Sequence, residues 1–359
     1  MNTFKTSTGP WFAGLNGTGG GYKRWVWAGL LMLILSGCSV VQSLYNNAPQ
    51  LVYWWLDDYV DFRADQKDWV KAKLSEVLAW HRASQLPLYR SQIKKLADLA
   101  TSDISPEVGC GAVQALIDTH DAWAEQLSAP LAEFVQSMSS AQVQHLQAAF
   151  EKKNKEWSKE WLWVSDKERL EHQTDKGIEQ AQDLYGKLTA SQKDALRELA
   201  KDSGYDPQKS LALRRARQQE TLKAIEQLRT LAKTPDKGRP VSVAAEKTRP
   251  NDPVSQRETL EPNLATSNNN SANYSANNAL NSASTPPSAQ SLAVVRDWLN
   301  NILDPVDPSL RSYNTLRWNM NCQSSSRFHS LTTPEQRLNA RARLLRYARD
   351  AQELMDKAP

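Results

Sequence analysis

Four short signatures spaced along the chain decide what it can fold into. Ser139-Ser140-Ala141-Gln142, Thr189-Ala190-Ser191-Gln192 and Thr333-Pro334-Glu335-Gln336 each set a hydroxyl residue three places ahead of Gln, and Ser165-Asp166-Lys167-Glu168 is the Glu form. In such a capping box the hydroxyl accepts the N3 amide, and the N3 side chain accepts the amide of the cap residue. Each box opens a stretch of apolar residues at helical spacing, predicting helices over Val143 to Val164, Lys167 to Leu188, Ala190 to Lys201 and Pro334 to Lys357. Gly204 is placed as a C′ residue, and Asp206-Pro207 restarts the chain as a helix to Lys233. No stretch alternates with the two-residue period of a strand. The expected class is all-α, a multi-helix bundle.

The rest of the chain fits that class. Arg63 to Gln85 reads as one long helix with Val70, Leu74, Val77, Leu78 and His81 on one face, broken or kinked by Pro87. A further helix carries Leu88, Ile93, Leu96 and Leu99. Ser105-Pro106-Glu107 starts another, holding Cys110, Val113, Leu116, Ile117 and Trp123, with an interruption expected at Pro130. Between Thr234 and Gln290 the pattern fails: seven prolines, nine asparagines and the single aromatic Tyr274 cannot bury enough apolar surface to offset ordering entropy. A disordered insertion over 234–290 is expected there. Helices resume over Ser291 to Leu303, Ser309 to His329 and the last box, and are expected to pack back on the 38–233 bundle.

The amino terminus sets the compartment. Lys23 and Arg24 precede an apolar run, Trp25 to Leu35, which is shorter than the roughly 20 residues of a spanning helix and reads as a signal peptide over 1–37. The run closes on Leu35-Ser36-Gly37-Cys38, which resembles the lipobox of bacterial lipoproteins. The resemblance implies cleavage before Cys38, a diacylglycerol on its sulfur and acylation of the new amino terminus; an ordinary secretory signal that happens to hold a cysteine is the alternative. Ser39 rather than Asp then implies sorting to the outer membrane, facing the periplasm. Residues 1–37 hold three bases and no acid, so removing them brings 44 basic and 40 acidic residues almost to balance. That balance, with the compartment, argues against a nucleic-acid partner. Membrane lipid through acylated Cys38, and envelope proteins, are the expected partners.

Tyr45-Asn46-Asn47-Ala48-Pro49 leads into Leu51 to Phe62, apolar on most sides, with Trp54 and Trp55 at its centre. Such a helix is either central to a core or pressed against lipid; Asp57, Asp58 and Asp61 favour the core. These motifs, with Ala79-Trp80-His81-Arg82, Gln85-Leu86-Pro87, Asp183-Leu184-Tyr185-Gly186, Asn321-Cys322 and His329 to Pro334, resemble an uncharacterised family of proteobacterial lipoproteins. The resemblance implies an all-helical periplasmic lipoprotein and no known activity. Leu188-Thr189-x-x-Gln192 also resembles the L-T-x-x-Q motif of Spy/CpxP-type periplasmic chaperones, though an ordinary capping box accounts for it.

Chemistry is hard to find. His81, His120, His145, His172 and His329 are scattered, without metal-ligand spacing, and no glycine loop or nucleophile elbow is present, so neither metal nor cofactor is expected and the chain reads as a non-enzyme. His81 beside Trp80 is the best single candidate, with Asp57 or Asp58 as partner in a hydrolase alternative; a hydrogen-bonded core histidine is the plainer reading. Trp54, Trp55, Asp57, Asp58, Trp80 and His81 are therefore candidate binding residues. Trp157 and Trp161 among lysines read as a packing seam, or else as a cation–π patch. Arg214, Arg215 and Arg217 read as a solvated face, or else as a contact for anionic lipid heads. Once Cys38 is set aside, Cys110 and Cys322 remain; an oxidising compartment favours a disulfide, with two buried thiols as the alternative.

Overall fold

A computed structural model describes residues 39–233 and 286–356. The expected signal segment, Cys38, residues 234–285 of the expected insertion and residues 357–359 lie outside the described residues. Every regular element among the described residues is helical: α1 (Ser39–Asn46), α2 (Ala48–Val60), α3 (Ala64–Trp80), a π-helical turn (His81–Gln85), α4 (Leu86–Leu99), α5 (Pro106–Ile117), α6 (His120–Ser137), α7 (Ser140–Trp161), α8 (Asp166–Tyr185), α9 (Ala190–Lys201), α10 (Pro207–Lys233), α11 (Ala289–Leu303), α12 (Pro308–Ser330) and α13 (Pro334–Asp356). None is long and apolar enough to cross a membrane.

The main core is enclosed by α2, α3, α6, α7, α10 and α11, around Tyr53, Phe62, Val70, Val135, Leu228 and Val295. A second cluster joins Leu86 on α4 to Ala351 and Leu354 on α13, flanked by Tyr45 of α1. A third joins Ala181 and Leu188 to Phe328 of α12. The last helices thus return to the first: α13 packs along α4 and α8, α11 along α6 and α10, and α12 against α5.

The capping boxes form as the residue types dictate, and then do more. Gln142 N–H donates to Ser139 Oγ (3.1 Å) while Ser139 N–H donates to Gln142 Oε1 (3.0 Å). The same exchange closes the helix starts at Ser165/Glu168, Thr189/Gln192 and Thr333/Gln336. Two of the buried glutamines also face each other: Gln192 Nε2 donates to Gln336 Oε1 (2.7 Å) and Gln336 Nε2 to Gln192 Oε1 (2.9 Å), locking the starts of α9 and α13 together. Gln142 Nε2 likewise donates to Gln66 Oε1 (2.8 Å) at the start of α3. A buried amide is costly unless every donor and acceptor is met, and this arrangement meets them in pairs.

Several boundaries differ from the sequence reading. The helix starting at Ala64 opens into a π turn rather than breaking at Pro87: Leu86 N–H reaches back to His81 O. Proline lacks an amide and crowds the carbonyl four residues back, and one wider turn relieves that clash. The interruption expected at Pro130 falls earlier, at Asp118–Thr119, where Thr119 Oγ1 donates to Leu116 O (2.8 Å). Pro130 lies inside α6, which buried Ala124 and Ser128 on one side and Ala132 and Val135 on the other hold continuous. Ser288 caps α11, so helix begins at Ala289, inside the stretch expected to be disordered. Gly204 adopts φ 65°, a left-handed conformation that costs glycine little, but two residues beyond the cap Asp202 rather than next to it.

Candidate functional site

The candidate residues do not assemble into one centre. On α2 the buried face is Tyr53 and Val60, while Trp54 is 58% exposed and Trp55 61% exposed. The helix joins the core as expected, through Tyr53 and Val60, but its two tryptophans stand outside it. The reason lies in the register: Tyr53 stacks on Phe62 (5.4 Å between rings) across the turn, and fixing that face inward turns its neighbours outward. Asp57 Oδ1 accepts the Phe62 N–H (2.8 Å) and closes the helix end; Asp58 pairs with Lys153 (3.2 Å).

His81 is enclosed elsewhere. Its Nδ1 meets the Tyr45 hydroxyl (2.6 Å), and its ring lies 5.4 Å from Tyr89 and 5.3 Å from Trp123. Trp80 packs its edge on Trp123 (5.0 Å). Burial lowers the His81 pKa, favouring the neutral ring. Neither Asp57 nor Asp58 is among its contacts, so the dyad of the hydrolase alternative is not formed. His329 repeats the theme at the other end: Tyr185 OH meets Nδ1 (2.9 Å) and Nε2–H donates to Ser102 O (2.8 Å). Among the described residues no group of His, Cys, Asp or Glu could hold a metal ion.

Cys110 and Cys322 are joined as a disulfide, with Cα atoms 5.6 Å apart, tying α5 to α12. Two hydrogen bonds extend the seam: Ser326 Oγ donates to Ile104 O, and His329 to Ser102 O.

The feature with capacity for function is a cavity of about 860 Å³ inside the main bundle. Protein cores are ordinarily packed as densely as organic crystals, so an opening this size is not slack packing. It lies within the range of about 300–1,000 Å³ typical of ligand pockets. Helices α2, α3 and α6 give it apolar and aromatic walls, among them Leu56, Trp69, Leu74, Leu131 and Phe134; only Lys73 interrupts them. Trp157 and Trp161 extend the wall along α7. Trp161 stacks flat on His172 (4.6 Å), and Lys176 of α8 sits over its ring (4.3 Å), so its cation comes from the neighbouring helix rather than its own lysines. Because exposed Trp55 also lines the cavity, it reaches solvent beside α2.

The polar lining comes from α10 and α12. Arg214 and Arg217, expected on a solvated face, line the cavity, as does Arg317. Arg214 Nε donates to Asn154 Oδ1 (2.8 Å) and Arg217 Nε to Ile302 O (2.8 Å). Arg317 donates to Ser203 O and lies over the Tyr205 ring (5.3 Å). Burial lowers the Arg217 pKa, and burial pushes the Tyr205 hydroxyl up to about 12. Sequence reading singled out Arg214 and Arg217 but favoured a solvated face for them, and it missed Arg317; for Arg214 a signal exists, since no acidic residue lies three or four positions away to pair with it on the helix surface.

No curated protein and no solved structure matches this chain. Residues 58–234, which include most of the cavity wall together with Arg214 and Arg217, match the model of DUF6279, a family of unknown function, consistent with an uncharacterised domain.

Proposed function

We propose that this protein is a lipid-anchored binding module at the outer membrane, facing the periplasm, whose cavity takes the hydrocarbon chain of a lipid. The observation that carries the reading is the cavity of about 860 Å³ with its long apolar and aromatic wall. An apolar chain entering it releases water from both surfaces, worth about 0.8 kcal/mol per buried methylene. The anchoring half rests on Leu35-Ser36-Gly37-Cys38 and the apolar run before it. The two halves support each other, since the cavity reaches solvent beside α2, one short helix after Cys38. The hydrolase alternative loses ground because His81 is enclosed by Tyr45, Tyr89 and Trp123.

Binding is tested with an environment-sensitive fluorescent analogue of a long-chain alcohol. The full mature chain should take it up saturably, near one per chain. Val77→Trp, which places a large ring in the cavity wall, should weaken uptake at least about tenfold while the melting midpoint stays close to that of the parent. No saturable uptake, or uptake indifferent to Val77→Trp, would overturn the reading. So would uptake seen only after removal of residues 234–285, since the chain would then be filling its own cavity.

Anchoring has its own test. Cys38→Ser expressed in a Gram-negative host should incorporate no labelled acyl chain and should leave the membrane fraction. Label retained by that variant removes the anchoring half and leaves the cavity half standing.

A further inference from the structure

We infer that the ligand of the cavity is an amphiphile ending in an oxyanion, a carboxylate or a phosphate, gripped by the terminal forks of Arg214 and Arg217 with Arg317 beside them. This rests on the cavity reading above and adds the chemical class of the ligand's head. The lining holds Lys73, Arg214, Arg217 and Arg317 and no acidic residue. Lys73 already pairs with Glu76 (2.8 Å). No carboxylate pairs with any of the three arginines among the described residues, although other arginines of the chain, such as Arg169 and Arg296, do have such partners.

The way the arginines are held sharpens the point. Arg214 and Arg217 are each fixed through Nε, by Asn154 Oδ1 and Ile302 O respectively. Asn154 is itself buried and braced by reciprocal bonds with Gln218 (2.8 and 3.0 Å). Fixing Nε orients a guanidinium without using its terminal nitrogens, and those carry no protein partner among the described residues. A planar fork held this way matches the two oxygens of a carboxylate or phosphate. Burying a cation without a counter-charge is costly, and an arriving oxyanion relieves that cost. Arg214 and Arg217 sit one helical turn apart on α10, so both face the same stretch of cavity. The charge pattern and the apolar wall thus call for one molecule with two ends.

The test uses four probes of equal chain length: hexadecanoate, hexadecyl phosphate, hexadecanol and hexadecylammonium, each displacing the fluorescent alcohol from the full mature protein. The two anions should bind at least about tenfold more tightly than hexadecanol, and the ammonium most weakly, as expected for charge-assisted bonds. In the Arg214→Gln/Arg217→Gln double variant the anions should fall to the affinity of hexadecanol. Unchanged hexadecanol binding there shows that the fold and the cavity are intact. Tighter binding of the phosphate marks a phospholipid-type head and tighter binding of hexadecanoate a fatty acid; both support the inference. Equal binding of anions and alcohol by the parent would overturn it while leaving the cavity reading in place, as would an anion advantage that survives the double variant. If none of the four binds, the cavity reading fails and takes this inference with it.

Discussion

Replacing Cys110 and Cys322 with alanine, or reducing their bond, is expected to lower the free energy of unfolding by up to about 5 kcal/mol. The cysteines are 212 residues apart in sequence, and their Cα atoms lie 5.6 Å apart. A covalent link across that span removes conformations from the unfolded chain, and the cost of closing such a loop grows only slowly with its length. The folded state should change little, because Ser326 and His329 hold α12 against the Ser102–Ile104 segment without the bond. Reduction should therefore shift the denaturant midpoint strongly while the helical circular dichroism of the native baseline stays put. Protein taken from an oxidising compartment, denatured without reductant and exposed to a maleimide, should show neither thiol labelled. Two labelled thiols, or a midpoint indifferent to reductant, would remove the bond from any account of how the chain is closed.

Helix existence was legible in this sequence because helix starts are written in local chemistry. Ser139, Ser165, Thr189 and Thr333 cap their helices through partners three residues on, so no distant part of the chain is needed to recognise them. What was not legible is that Gln192 and Gln336, 144 residues apart, also cap each other's surroundings. A capping glutamine looks the same in sequence whether its remaining amide bonds go to water or to another glutamine. The π turn at His81–Gln85 was hidden for a related reason: Pro87 announces a disturbance, but packing decides whether the helix breaks, bends or widens. The candidate site was the least legible. A cavity is defined by atoms that are missing, and the apolar periodicity of α3 and α6 is identical whether the facing side chains touch or stand apart. Arg214 and Arg217 read as solvent-facing because cations on a helix usually are; only the third dimension shows that they share a lining with Phe134 and Leu74.

Leu228 and Trp55 invert the ranking that residue size alone would give. Leu228 is fully buried, at 0% exposure, in the cluster with Ile225 and Val295 where α10 meets α11. Leu228→Ala is expected to destabilise the protein by about 2–5 kcal/mol, the range for truncating a buried leucine where the surroundings collapse only partly. Trp55 is 61% exposed and its ring meets Tyr59 at 5.2 Å, so most of its surface is already in water. Trp55→Ala should cost no more than about 1 kcal/mol, near the scatter of surface substitutions. Both variants are to be compared by urea denaturation in a mature chain carrying Cys38→Ser, so that no acyl chain covers α2. A Trp55→Ala loss equal to that of Leu228→Ala would put Trp55 itself in the core and close the cavity's opening beside it. The expected contrast leaves Trp54 and Trp55 as a pair of large rings held out from α2, one short helix after Cys38, where stability gives no reason for them. Trp55 lines the cavity mouth, which accounts for one ring within the folded chain; on the anchoring proposed above, a second cause lies outside it. The interfacial preference of tryptophan supplies one: rings on that helix suit the boundary between headgroups and acyl chains. In that position the opening of the cavity would face the layer from which a lipid chain could enter.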